Sequence, residues 1–312
     1  MYNCTEPDSG LEIHLIPGLG GIINGLFLNK DGGKIPLLDY YDSPETYQAQ
    51  MNGRFVNAVL APYPNRINGG SYTYRGQTYQ FEELFDGEPN SIHGLLLRQP
   101  FEIKELESSR DTLRYVQYCT YEGEDPGYPF PFYLEQEIVL EASTMKLACT
   151  TRIKNTGQSP APMGFGQHIY LNTGTEIDQL EVDFPGSEVL TVDQYNIPTG
   201  NRQPLPMSSD NGKLRDTQLD NALIVDSGNG TPSSGTATVR AYDPQNEVEL
   251  RLSFKATDLG YLQLYTPPDR HAIGVEPMSC APDAFNNGMG LKELPIDETW
   301  KTDWQIQISR KP

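Results

Sequence analysis

Several things are scarce in this 312-residue chain, and each scarcity excludes something. Cysteine occurs four times, at Cys4, Cys119, Cys149 and Cys280. None of the spacings is CxxC, which argues against a zinc ribbon or a dithiol redox motif. Four are also too few for a disulfide scaffold, so free and mostly buried thiols in a reducing compartment are expected. Basic residues are outnumbered, 23 against 42 acidic, for a net charge of −19. Nucleic acid and anionic membrane surfaces both need a basic field, so neither is an expected partner; the charge is read as serving solubility. No apolar run reaches the roughly 18 residues of a membrane-spanning helix. The first residues, Met1 to Asp8, show no basic segment followed by an apolar one, so no signal peptide is read and a cytoplasmic location is expected. There is no G-x-S-x-G, H-E-x-x-H, EF-hand loop or Walker A motif. Gly18 to Gly21 falls short of a dinucleotide-binding loop and opens a strand, not a helix.

Glycine and proline are plentiful, at 29 and 25, and suit many short strands joined by turns. The dominant period is two. Val248, Leu250, Leu252 and Phe254 share one face of a strand whose other residues are polar. The same alternation runs through Thr302 to Ser309, with Trp304, Ile306 and Ile308 inward, and through Lys146 to Lys154, with Leu147, Cys149 and Ile153 inward. Arg75-Gly76, Asp31-Gly32-Gly33 and Asp243 to Asn246 read as turns. Helix signals are few. Ser43 as cap, Pro44 behind it and Gly53 beyond predict one short helix, and one or two are expected in all. Residues 226–235 read as an exposed loop. No internal repeat or linker divides the chain. These patterns predict an all-β protein, a large antiparallel β-sandwich forming one domain over residues 1–312.

Chemistry-bearing residues concentrate in three fragments. One is Asn65-Arg66-Ile67, followed by Ser91-Ile92-His93-Gly94; the others are Gln167-His168-Ile169-Tyr170 and Gly274-Val275-Glu276-Pro277-Met278. Two of the four histidines lie here; His14 and His271 sit in ordinary strand or turn contexts. An arginine, two imidazoles and a carboxylate can bind a polyhydroxylated ligand and move protons on it near neutral pH. Glu276 ends an apolar strand against a proline. Burial there would raise its pKa and make it a better proton acceptor. For each residue alone, a surface carboxylate, a packing histidine or a salt-bridged arginine is the commoner fate.

In this order the fragments resemble those of the aldose 1-epimerases of the galactose mutarotase type, a bacterial subgroup. Asn65 to Gly70 resembles the family's N-R-I-x-x-G segment, Asn90 to Gly94 its N-x-L-H-G turn, and Gln167 to Asn172 its N-H-x-Y-F-N strand. Leu219-Asp220-Asn221 resembles the segment supplying a sugar-binding aspartate, and Tyr265-Thr266-Pro267 with Glu276-Pro277 the closing segments. Gln167 stands where asparagine is usual, and Leu171 where phenylalanine is. The resemblance implies the mutarotase supersandwich and catalysis without metal or organic cofactor. Its implied base is Glu276 and its implied acid His168. Arg66 and His93 would hold and polarise the C1 and ring oxygens. Asp220 and Asn65 would bind sugar, and Tyr170 and Phe285 would supply an aromatic platform. The implied partner is a small sugar, bound by a monomer or homodimer. A hexose-6-phosphate epimerase, using Arg98, and a sugar-binding protein without turnover are the alternatives.

Overall fold

The computed structural model describes residues 2–5, 10–30, 32–51, 53–85, 87–207, 212–225 and 235–311. The loop expected over 226–235 therefore falls almost wholly outside the described residues. Two antiparallel sheets dominate. The smaller has eight strands and runs Glu102–Ser108, Thr112–Tyr121, Phe132–Glu141, Lys146–Asn155, Thr299–Arg310, Val248–Lys255, Thr236–Asp243 and Glu181–Asp183 in spatial order. Its period-two strands bury alternate residues as the sequence predicts: Leu147, Cys149 and Ile153 on one strand, Trp304, Ile306 and Ile308 on the next, Val248, Leu250, Leu252 and Phe254 beside them. The larger sheet has twelve strands. At its centre Gly33–Leu38, Ile169–Leu171, Ile273–Met278, Tyr261–Tyr265 and Asp220–Ile224 lie side by side. Inner faces of both sheets feed one apolar core that joins Ile169, Leu171, Ile273, Val275 and Leu264 to Ile138, Leu147 and Ile306.

On Val248–Lys255 one outward residue breaks the alternation. Glu249 is only 1% exposed. Burial would raise its pKa, but hydrogen bonds from Lys311, Arg251 and Arg240 outweigh that and hold the carboxylate at about 2. Two short helices appear among the described residues. Pro44–Gln50 starts as expected, with the Ser43 hydroxyl accepting from the Thr46 N–H at 3.1 Å; Ala284–Asn287 is a single turn. No helix among the described residues is long and apolar enough to cross a membrane. Cys119, Cys149 and Cys280 are free and buried; the side chain of Cys4 lies outside the described residues.

Candidate active site

The site grows out of one strand register. Gly166 pairs with Met278, and Ile169 with Val275. Between them His168 is set opposite Glu276, where the ladder is interrupted because the His168 N–H donates to the Ala58 carbonyl at 2.9 Å. Alternation sends Val275 and Ile273 into the core and turns Glu276 to the opposite face. There His168 Nε2 lies 3.2 Å from Glu276 Oε1, and the two residues are 4% and 2% exposed. Gln263 is the cross-strand partner of Glu276, and Asp220 lies one strand further on. The Asp220 carboxylate accepts from Gln263 Nε2 at 2.6 Å and from Asn196 Nδ2 at 3.0 Å.

His93 arrives from another direction. Arg66–Ile67 pairs with Ser91–Ile92, and both flanking residues take left-handed backbone, Asn65 at φ 57° and His93 at φ 62°. The His93 N–H donates to the Asn65 carbonyl at 2.8 Å. The Asn65 N–H donates back to His93 Nδ1 at 3.3 Å. A backbone N–H can only donate, so Nδ1 is bare and neutral His93 carries its proton on Nε2. The His93 and His168 rings are 5.0 Å apart. Arg66 is held by a two-point contact to Glu88, at 2.8 and 2.9 Å.

Gly94 fixes this corner. Its φ is 78°, and a Cβ there would overlap the Ala61 carbonyl oxygen, which accepts from the Leu95 N–H at 2.8 Å. Gly94→Ala is expected to cost about 1–3 kcal/mol from backbone strain alone. It should lower Tm in thermal denaturation and displace His93, so that activity falls further than stability does.

The electrostatics follow from burial. Desolvation pushes Glu276 well above the ordinary carboxylate range, the charge of Asp220 adds to this, and Arg66 opposes it. Burial also raises Asp220, again against Arg66. Both imidazoles move the other way. Burial takes His168 down to about 3 and lowers His93 well below its usual value, helped by His168 and Arg66. His168 Nδ1 and Glu276 Oε2 are buried without a hydrogen-bond partner.

Glu276, His168, His93, Arg66, Asn65 and Asp220 are thus gathered in one region. The two expected platform residues need correction. Phe285 packs against Tyr72, Tyr63 and Tyr128, with ring centroids 4.8, 5.7 and 6.1 Å away; it is a core residue and offers no free face. Tyr170 is beside the site but 0% exposed. Its ring lies 5.0 Å from that of His168, and the Arg54 guanidinium lies 5.7 Å from its centroid. Asp39 holds Arg54 at 2.7 Å, so Tyr170 buttresses the imidazole. Sequence reasoning missed Phe55. It is half-buried, and its ring lies 4.7 Å from His93 and 5.9 Å from His168. Its left-handed backbone, φ 49°, takes it out of any strand or helix period, so no pattern signalled it.

Ligand-type atoms of His93, His168 and Glu276 lie within 4.8 Å of one another, which raises the question of a metal. The Asn65 N–H on Nδ1 leaves His93 with a proton, not a lone pair, on Nε2. A metal-binding imidazole needs the reverse arrangement, with the far nitrogen donating its N–H. The trio is better wired to donate one hydrogen bond and share one proton than to hold an ion.

Comparison with known proteins places the chain in a family. The family model described as aldose 1-epimerase matches residues 9–307. The chain belongs to the aldose 1-epimerase family. It is 30% identical over 264 residues to YihR of Escherichia coli K12, described as an uncharacterized protein, covering 82% of this chain and 80% of that one. Among solved structures it resembles a galactose mutarotase-like protein of Clostridium acetobutylicum, with a TM-score of 0.81 and 20% identity, covering 97% of this chain and 93% of that one. It also resembles galactose 1-epimerase of Lactobacillus acidophilus, with a TM-score of 0.78 and 17% identity, covering 98% and 93%. At these identities the structures establish a shared mutarotase-like fold. Membership in the aldose 1-epimerase family makes this chain an isomerase by descent.

Proposed function

We propose that this protein interconverts the α and β anomers of a free aldose by opening and closing its ring. The observation that carries the reading is the buried His168–Glu276 contact at 3.2 Å. In the reacting form, with the sugar ring closed, Glu276 is a carboxylate and His168 an imidazolium, the minor tautomer of the neutral pair that burial favours. Glu276 takes the proton of the C1 hydroxyl, and the released electron pair forms the C1 carbonyl. The bond from C1 to the ring oxygen breaks, and that oxygen takes the proton from His168. Rotation about C1–C2 presents the other carbonyl face, and the same transfers run backwards. His93 Nε2–H and Arg66 polarise the sugar oxygens, and Asp220 accepts hydrogen bonds from hydroxyls.

Burial biases this exchange. The dyad is ionic beside the closed ring and neutral beside the open chain. Desolvation penalises the two charges, and both pKa shifts favour the neutral arrangement. The protein therefore stabilises the dyad state that accompanies the open-chain sugar.

The active dyad holds one proton, which sets the pH dependence. Raising the pH removes that proton, and because Glu276 is shifted upward the loss falls above the ordinary carboxylate range. Lowering the pH adds a second proton only near the depressed His168 value of about 3. A broad bell in kcat/KM is expected, with both limbs belonging to the pair. A profile flat through the alkaline limb would contradict the shared proton.

A phosphorylated sugar is disfavoured by its surroundings. Arg98 pairs with Glu83 at 2.8 Å and lines a cavity that also presents Glu82, Glu124 and Asp125, a poor setting for a dianion. The direct test is polarimetry of freshly dissolved α-glucose and α-galactose with and without protein. Faster relaxation to the same final rotation supports the reading. Relaxation at the spontaneous rate, across a panel of aldoses and hexose 6-phosphates that nevertheless bind, would leave a sugar-binding protein instead.

A further inference from the structure

We infer that the loop Asp193–Ile197 is the wall of the sugar site that sets which sugar is accepted, with Tyr195 as its stacking surface and Asn196 as the positioning residue for Asp220. This rests on the proposed function and asks where the missing aromatic platform lies. The two residues expected to provide it are buried, and Phe55 stands at the histidine end. At the Asp220 end Tyr195 is exposed, with 42% of its surface open.

The loop is tied to the site at two places. Asn196 Nδ2 donates to Asp220 Oδ2 at 3.0 Å. Asn90 Nδ2 donates to the Tyr195 carbonyl at 3.4 Å; Asn90 is itself 0% exposed, and its Oδ1 accepts from the Gly69 N–H at 3.0 Å, beside the Arg66–Ile67 ladder. The loop thus spans from the Asp220 strand to the Arg66–His93 corner.

It is also braced from within. Asp193 Oδ1 accepts from the N–H groups of Tyr195 and Ile197, at 2.8 and 3.1 Å, and Asn196 takes left-handed backbone at φ 59°. A preformed loop costs little ordering when a ligand arrives. Its chemistry suits a pyranose: a ring for the apolar C–H face, beside a carboxylate whose partners are neutral amides and which keeps acceptor capacity for hydroxyls.

The test is steady-state polarimetry on glucose and galactose with Tyr195→Ala, Tyr195→Phe and Asn196→Ala, each checked for an unchanged Tm. Tyr195→Ala is expected to raise KM roughly threefold to tenfold, the range an aromatic contact carries, with kcat nearly unchanged. Tyr195→Phe should restore wild-type KM, because the ring and not the hydroxyl is used. Asn196→Ala should raise KM and alter the glucose-to-galactose ratio of kcat/KM. A merely structural loop would lower Tm and leave that ratio alone. Unchanged KM and sugar preference in both alanine variants, with wild-type turnover intact, overturns the inference while sparing the mutarotase reading. Absence of wild-type turnover on every sugar overturns the reading itself.

Discussion

Glu276→Gln is expected to lower kcat for mutarotation by about 10²–10⁴-fold, the range for removal of a general base, with KM little changed. Glutamine matches the shape of the side chain and keeps one oxygen facing His168 Nε2, so packing around a residue only 2% exposed should survive. Stability should move the other way from activity. The folded-state pKa of Glu276 is raised, chiefly by burial. Above the unfolded value of roughly 4.3, the folded protein holds a proton that the unfolded chain has released. Stability therefore falls with rising pH until the folded pKa is passed. Glutamine does not titrate, so the variant should equal or exceed wild-type Tm at neutral pH, with a gap that opens from about pH 4 upward. Thermal denaturation across pH, beside polarimetry, checks both halves. Near wild-type turnover would remove Glu276 from the mechanism.

The site was only partly legible in the sequence. Strands with one buried face were plain, because alternation is written into consecutive residues such as Val248, Leu250, Leu252 and Phe254. Glu249 sits on the outward side of that same strand and reads as exposed. Its burial depends on Arg240, Arg251 and Lys311, and Lys311 is distant in the chain. The contact between His168 and Glu276 depends on which strands pair and in what register. No local period encodes that, and only the ordered likeness to a family brought the two residues together. Aromatic roles were least legible of all. Phe285 and Tyr170 stand in recognisable segments, yet the structure uses one to fill core and the other to brace an imidazole, while Phe55 lies in irregular backbone. An aromatic side chain serves core, brace or platform with the same residue type, and only its neighbours tell which.

His168→Ala should match Glu276→Gln in effect, and the combination of the two is the more informative result. The single change removes the group that protonates the ring oxygen and leaves Glu276 without its 3.2 Å partner; a loss of about 10²–10⁴-fold in kcat is expected. The imidazole lies between Phe55 and Tyr170, at 5.9 and 5.0 Å, so alanine also opens a cavity there. His168→Gln keeps most of the volume and should lose activity to the same extent with a smaller fall in Tm, which separates chemistry from packing. Added imidazole should restore part of the turnover in the alanine variant and none in the glutamine one. If the two residues share a single proton, removing either disables the shuttle, and Glu276→Gln/His168→Ala should be little worse than the poorer single variant. Residues that each lowered the barrier independently would instead give a double variant whose loss is the product of the two. That product, measured by polarimetry on folded protein, would replace the shared-proton dyad with two separate catalysts.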